Sequence, residues 1–122
     1  MGFIKDLFNR EPKPGKPRSV TDESFREDVL SSDIPAVVDF WSKRCPPCHV
    51  MGGLLNEIGP DYVGRVNVFK LNVDENPQTT RRFQIMNIPT VILFRDGKVV
   101  DRITGLLPLH PLRRKFDRLA RR

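Results

Sequence analysis

Two cysteines make up the whole thiol inventory of this 122-residue chain, and they stand three residues apart in Cys45-Pro46-Pro47-Cys48. As a structural staple the pair is weak. Closing so short a loop removes on the order of 2 kcal/mol of unfolded-chain entropy, against nearly 5 for a loop of about a hundred residues. Zinc takes four ligands and the motif supplies two; the only histidines are His49 and His110, and no spacing completes a metal set. Cys45-Pro46-Pro47-Cys48-His49 also fits the CxxCH pattern of covalent haem attachment, and the pentapeptide alone does not separate that reading from redox chemistry. A redox pair accounts for the most residues. Cys45 stands at the cap of a helix beginning with Pro46, where the helix dipole and free N–H groups favour a thiolate. Cys48 lies one turn on, on the same face and within disulfide reach. In that reading Cys45 is the nucleophile and Cys48 resolves the mixed disulfide.

The elements around the motif follow from pattern. Phe3, Ile4, Leu7 and Phe8 are at helical spacing over residues 2–9, and Pro12, Pro14, Gly15 and Pro17 make a stiff linker to about residue 18. Thr21 caps a helix with Asp22 and Glu23 in its first turn and Phe25 and Val29 facing inward. AVVDFW, after Pro35, is apolar on both faces, as a central strand is. A helix from Pro46 to about Ile58 closes at Gly59-Pro60. VNVFKLNV (66–73) is a further strand, and Asn76-Pro77 caps a short helix through Phe83. TVILFR, Asp96-Gly97 and KVVDRIT form a hairpin. Pro111 opens a last helix with Leu112, Phe116 and Leu119 on one face. The expected class is α/β, a central mixed sheet with helices on both faces.

With those residues placed, a resemblance emerges. VTDESFREDVL, VVDFWSKRCPPC, KLNVDENP and IPTVILFRDGKVV, followed by Gly105, resemble the thioredoxin family in order and spacing over residues 19–121. The resemblance implies the thioredoxin fold for residues 19–122, with 1–18 as an amphipathic segment and linker. It also implies reversible dithiol–disulfide exchange at Cys45 and Cys48, with disulfide-containing protein substrates and a thioredoxin-reductase-type electron donor, and no cofactor beyond the cysteine pair. Asp39 matches the family's buried carboxylate; flanked by Val37, Val38, Phe40 and Trp41, its pKa is expected to rise so that it takes the proton of Cys48. Lys70 matches a lysine near that carboxylate, and Trp41 a tryptophan packed on the active-site helix. Pro89 matches a proline after a cis bond, which would leave the backbone of Ile88 free to pair with a substrate segment. Gly105 matches a glycine that makes room for the substrate backbone.

The chain departs from the family's Trp-Cys-Gly-Pro-Cys. Arg44 replaces the tryptophan and Pro46 the glycine; Pro46 and Pro47 remove two backbone donors, while Arg44, with Lys43 and His49 nearby, favours the thiolate. A lowered Cys45 pKa and a more oxidising poise are expected. Gly52-Gly53 stands where the family has a kink-forming proline, and weakens the helix by roughly 1 kcal/mol per glycine. The family's first strand falls at Pro17–Val20, where prolines keep it short. The net charge of +6 sits on the ends: +3 over residues 1–20 and +5 over 106–122, with −2 between. The aromatic residues of those ends, Phe3, Phe8 and Phe116, fall on apolar helix faces rather than standing free among the cations for base stacking, so nucleic acid is not an expected partner. No apolar run reaches the roughly 18 residues of a membrane span and no export signal is legible, so the expected state is a cytoplasmic monomer.

Overall fold

The computed structural model describes residues 14–121, so the apolar segment read at residues 2–9 lies outside the described residues. Five strands form one sheet: β1 (Arg18–Ser19), β2 (Ala36–Trp41), β3 (Asn67–Asn72), β4 (Thr90–Arg95) and β5 (Lys98–Thr104), in the order β1-β3-β2-β4-β5. The pairs β1–β3 and β2–β3 are parallel, and β2–β4 and β4–β5 antiparallel. The helices are α1 (a π-helical turn, Arg26–Leu30), α2 (Pro46–Ile58), α3 (Pro77–Arg82) and α4 (Leu109–Ala120). This is the mixed, two-sided α/β architecture expected. As anticipated, β1 has only two residues.

Period-two alternation sorts the sheet's side chains between two cores. Val37, Val68, Val91 and Ile103 pack under Met51, Leu55 and Ile58 of α2 and Leu112, Phe116 and Leu119 of α4. Val38, Phe40, Phe69, Leu71, Ile92 and Phe94 pack on the opposite face with Phe25 and Val29. Asp39 falls in register with Val37 and Trp41, on the face covered by α2. In the hairpin Arg95 pairs with Lys98, and Asp96 and Gly97 both take positive φ (52° and 75°), the geometry of the two-residue turn that Asp-Gly favours.

Two local expectations are corrected. The last helix starts at Leu109, not Pro111; the first turn's N–H groups have no intrahelical partners, so a proline at the third position costs no hydrogen bond. As expected, α2 ends at Ile58 with Gly59 as its cap, and the chain then tightens into a 3₁₀ turn over Gly59–Tyr62. Glycine is needed there for close approach: a Cβ on Gly59 would overlap the Gly15 carbonyl, and one on Gly15 would lie 2.6 Å from the Pro60 Cα. That contact seats the end of the linker on the domain.

The second correction concerns the cap of α3. Asn76 is at the cap position but does not cap with its side chain. Its amide accepts from the Asp22 N–H (2.9 Å) and donates to the Asn72 carbonyl (3.0 Å). The helix is capped instead by Asp22, whose carboxylate accepts from the N–H groups of Gln78 (3.2 Å) and Thr79 (2.8 Å). Burial alone would raise the Asp22 pKa; the bonds from Thr79 and Gln78 and the charge of Arg81 outweigh it and hold the carboxyl below its ordinary value. Asp22→Ala should therefore cost about 1 kcal/mol at neutral pH, the usual worth of a cap. Because the folded pKa is depressed, the ionised cap's contribution is present above the ordinary value of 3.8 and lost as pH falls through the folded one. Urea titrations of both proteins at about pH 7 and about pH 2.5 check this: the gap should shrink in acid.

Candidate active site

The end of β2 delivers the chain into the motif. Trp41 is its last residue, and four residues later Cys45, in extended conformation (φ −122°, ψ 98°), caps α2. With Pro46 and Pro47 lacking N–H groups, the first donor of the helix is Cys48: its N–H reaches the Cys45 sulfur at 3.2 Å and the Cys45 carbonyl at 3.0 Å. The two cysteines are joined as a disulfide, with their Cα atoms 5.2 Å apart. The sulfurs are unequal: Cys45 is half-buried, whereas Cys48 is 3% exposed. A partner can reach only the first.

The Ile88–Pro89 bond is cis, and the Ile88 carbonyl oxygen lies 4.0 Å from the Cys45 sulfur. Pro89 is buried and its carbonyl accepts from the Gly105 N–H at 2.8 Å. Gly105 has φ +83°, and a Cβ there would meet nothing within 4 Å; backbone conformation, not crowding, asks for the glycine. Cys45, Ile88, Pro89 and Gly105 thus come together at one end of the sheet.

Behind the disulfide lies Asp39, 2% exposed, with its Oδ1 lacking any hydrogen-bond partner among the described residues. Lys70 is its register partner on β3. Burial raises the Asp39 pKa to about 7, against an opposing pull from the Lys70 charge. Lys70 Nζ lies 5.7 Å from the centre of the Trp41 ring. Trp41 is half-buried and stands edge-on to His49, ring centres 6.2 Å apart. The His49 Nε2 is bonded to the Lys43 carbonyl at 2.6 Å. Arg44, Pro46 and Pro47 are exposed around the cap.

Sequence reasoning missed three features here. Ser42 donates to Asp74 at 2.5 Å, tying the strand–helix connection to the loop after β3. The His49 anchor was legible only as part of CxxCH; with Nε2 on a backbone carbonyl, the imidazole is oriented by its own loop and the haem reading finds no support. A cleft lined by Gly52, Gly53 and Asn56 beside Asp39 went unread, although the Cys48, Gly52, Asn56 spacing of four carries a signal for it.

The Asp39 pKa has a consequence for stability. A carboxyl whose folded pKa is raised is destabilising when ionised, so the fold loses stability as pH rises from the ordinary 3.8 to about 7. A rise of that size corresponds to on the order of 4 kcal/mol. Asp39→Asn removes the titration: relative to wild type, its stability should gain by that order between about pH 4 and pH 8. Paired denaturant titrations across that range check it, and a pH-independent difference would contradict it.

Residues 16–118 match the family model described as Thioredoxin. Among curated proteins, the chain is 43% identical over 103 residues to "Thioredoxin 2" of Chlorobaculum tepidum, covering 84% of this chain and 94% of that protein. It is 46% identical to "Thioredoxin" of Synechocystis over 73% of this chain and 83% of the relative. With "Thioredoxin" of Mycobacterium tuberculosis the identity is 51%, over 70% and 74% respectively. A reachable sulfur at a helix cap, a sheltered one behind it and this span of similarity agree: the chain belongs to the thioredoxin family and is a thiol–disulfide oxidoreductase.

Proposed function

We propose that the chain works as a protein-disulfide reductase with a division of labour between its two sulfurs. Cys45, reduced to the thiolate, attacks a client disulfide, forming a Cys45–client bond and releasing one client sulfur as thiolate. The Cys48 thiol then gives its proton to Asp39, its sulfur attacks the Cys45 sulfur, and the second client thiolate leaves. The client gains two electrons and the chain ends as the Cys45–Cys48 disulfide. The observation that carries this reading is the asymmetry of exposure across a bonded cysteine pair with an unpartnered carboxyl behind it.

Trp41, Ile88, Pro89 and Gly105 form the surface that receives the client's extended segment, a reading supported by the placement of Ile88, Pro89 and Gly105 beside the Cys45 sulfur. Arg44 and Lys70 act on the charge balance of the site, while Pro46 and Pro47 restrict the cap to one nearby N–H. If the cations dominate, the dithiol form is stabilised; each tenfold in that equilibrium moves the potential by about 30 mV in the oxidising direction. A thioredoxin-reductase-type donor restores the dithiol. A monomer serves, since the described chain supplies every group named here. The cytoplasm, where thiols are kept reduced, is the compartment that suits a reductase of this kind.

Reduction of insulin, used as a protein disulfide, tests the assignment. Cys45→Ser should abolish turnover. Cys48→Ser should still attack once and accumulate the Cys45–insulin mixed disulfide, visible on a non-reducing gel and released by dithiothreitol. Turnover surviving in Cys45→Ser would overturn the assignment.

A further inference from the structure

A cleft of about 290 Å³ opens on the flank of α2 and ends at Asp39. Its walls are Trp41 and Lys70 from the sheet and Cys48, His49, Gly52, Gly53 and Asn56 from the helix. Cys48, Gly52 and Asn56 recur every four residues, so they form one row along the helix surface. Glycine at two adjacent interior positions weakens that helix by about 1 kcal/mol each relative to alanine. Neither positive φ nor crowding asks for them: neither has positive φ, and a Cβ at 52 or 53 would meet nothing within 4 Å. The glycines leave space, and what the space reaches is a carboxyl that is 2% exposed with an unpartnered Oδ1. A buried polar atom of this kind calls for a partner. At roughly 30 Å³ per molecule the cleft has room for several waters, with polar groups on its walls to hold them.

We propose that the gap at Gly52-Gly53 is a proton port, a water-admitting passage through which Asp39 exchanges its proton with solvent during resolution of the mixed disulfide. The proposal rests on Asp39 acting as the base for Cys48. The proton cannot leave past the sulfur, since Cys48 is itself 3% exposed and, with a client attached to Cys45, the front of the site is covered. In each cycle one proton passes from the Cys48 thiol to the Asp39 carboxylate and then along the cleft to bulk water, while the Cys48 sulfur closes on Cys45. The charged or titratable groups facing that path are Lys70 from β3 and His49 from α2. Gly52 and Gly53 contribute room alone, so their role is positional. Filling the cleft would both strand the proton and desolvate the carboxylate further, leaving less of the base form at neutral pH.

Gly52→Leu fills the row from its centre, and Asn56→Leu narrows it from one turn further on. With fully reduced full-length protein and insulin, quenched single-turnover reactions separate formation of the mixed disulfide from its resolution. Each leucine variant should slow resolution at pH 7 by about tenfold, short of the roughly 10²–10⁴ that a general base contributes in full. Formation should stay within about twofold, and the rise of the resolution rate should move to higher pH. A merely structural disturbance of α2 would slow both steps and leave that midpoint in place. In an Asp39→Asn background the leucine should add nothing further.

If Asp39→Asn slows resolution while folded Gly52→Leu or Asn56→Leu does not, the port is wrong and the base assignment stands. If Asp39→Asn itself leaves resolution unchanged, the base assignment falls and the port with it. Should Gly52→Leu fail to fold, Asn56→Leu decides, since it leaves both glycines untouched.

Discussion

An acid held out of water in the middle of a central strand is the constraint around which this structure is arranged. Asp39 has Val37 and Trp41 as its neighbours on the same face of β2, Lys70 opposite it on β3 and Val91 on β4. No hydrogen bond compensates its Oδ1 among the described residues. An uncompensated buried carboxylate is costly enough that it takes up a proton instead. The surrounding apolar core, with Phe40, Leu55, Ile58 and Ile92 all fully buried, must supply enough stability to carry the acid. What results is a buried carboxyl with its pKa raised to about 7 beside a sheltered sulfur.

The covalent path from β2 into α2 then fixes where the chemistry occurs. Between Trp41 and Cys45 the chain has three residues in which to turn from strand to helix, and the Ser42–Asp74 and His49–Lys43 bonds hold that turn. A helix beginning Pro46-Pro47 has fewer early N–H groups to offer a thiolate, which concentrates the interaction on the Cys48 N–H. The same spacing sets one sulfur at the surface and the other beneath it.

Much of this was legible in the residues. AVVDFW reads as a central strand because both its faces are apolar, and the Cys-Pro-Pro-Cys cap follows from rules that act within one turn. Asp96-Gly97 dictates its own hairpin for the same reason. The features that escaped depend on partners distant in sequence. Asp22 caps a helix that starts more than fifty residues later, and nothing local distinguishes it from an ordinary first-turn acid. Gly59 reads as a helix stop, yet its absent side chain is required by Gly15. Pro111 reads as a first helical residue, because any of the first few positions tolerates the missing N–H. Gly52 and Gly53 looked like a weakness in α2; only the packed sheet beneath shows that the space they leave ends at a carboxyl.

The protonation of Asp39 can be observed directly. With ¹³C-labelled aspartate, the carboxyl carbon of residue 39 can be followed by NMR through a pH titration of the disulfide form, in which neither cysteine titrates. Burial predicts a midpoint near 7, against the ordinary 3.8. A midpoint near 3.8 would mean that Asp39 is an ordinary ionised carboxylate, and the account of its place behind Cys48 would fail.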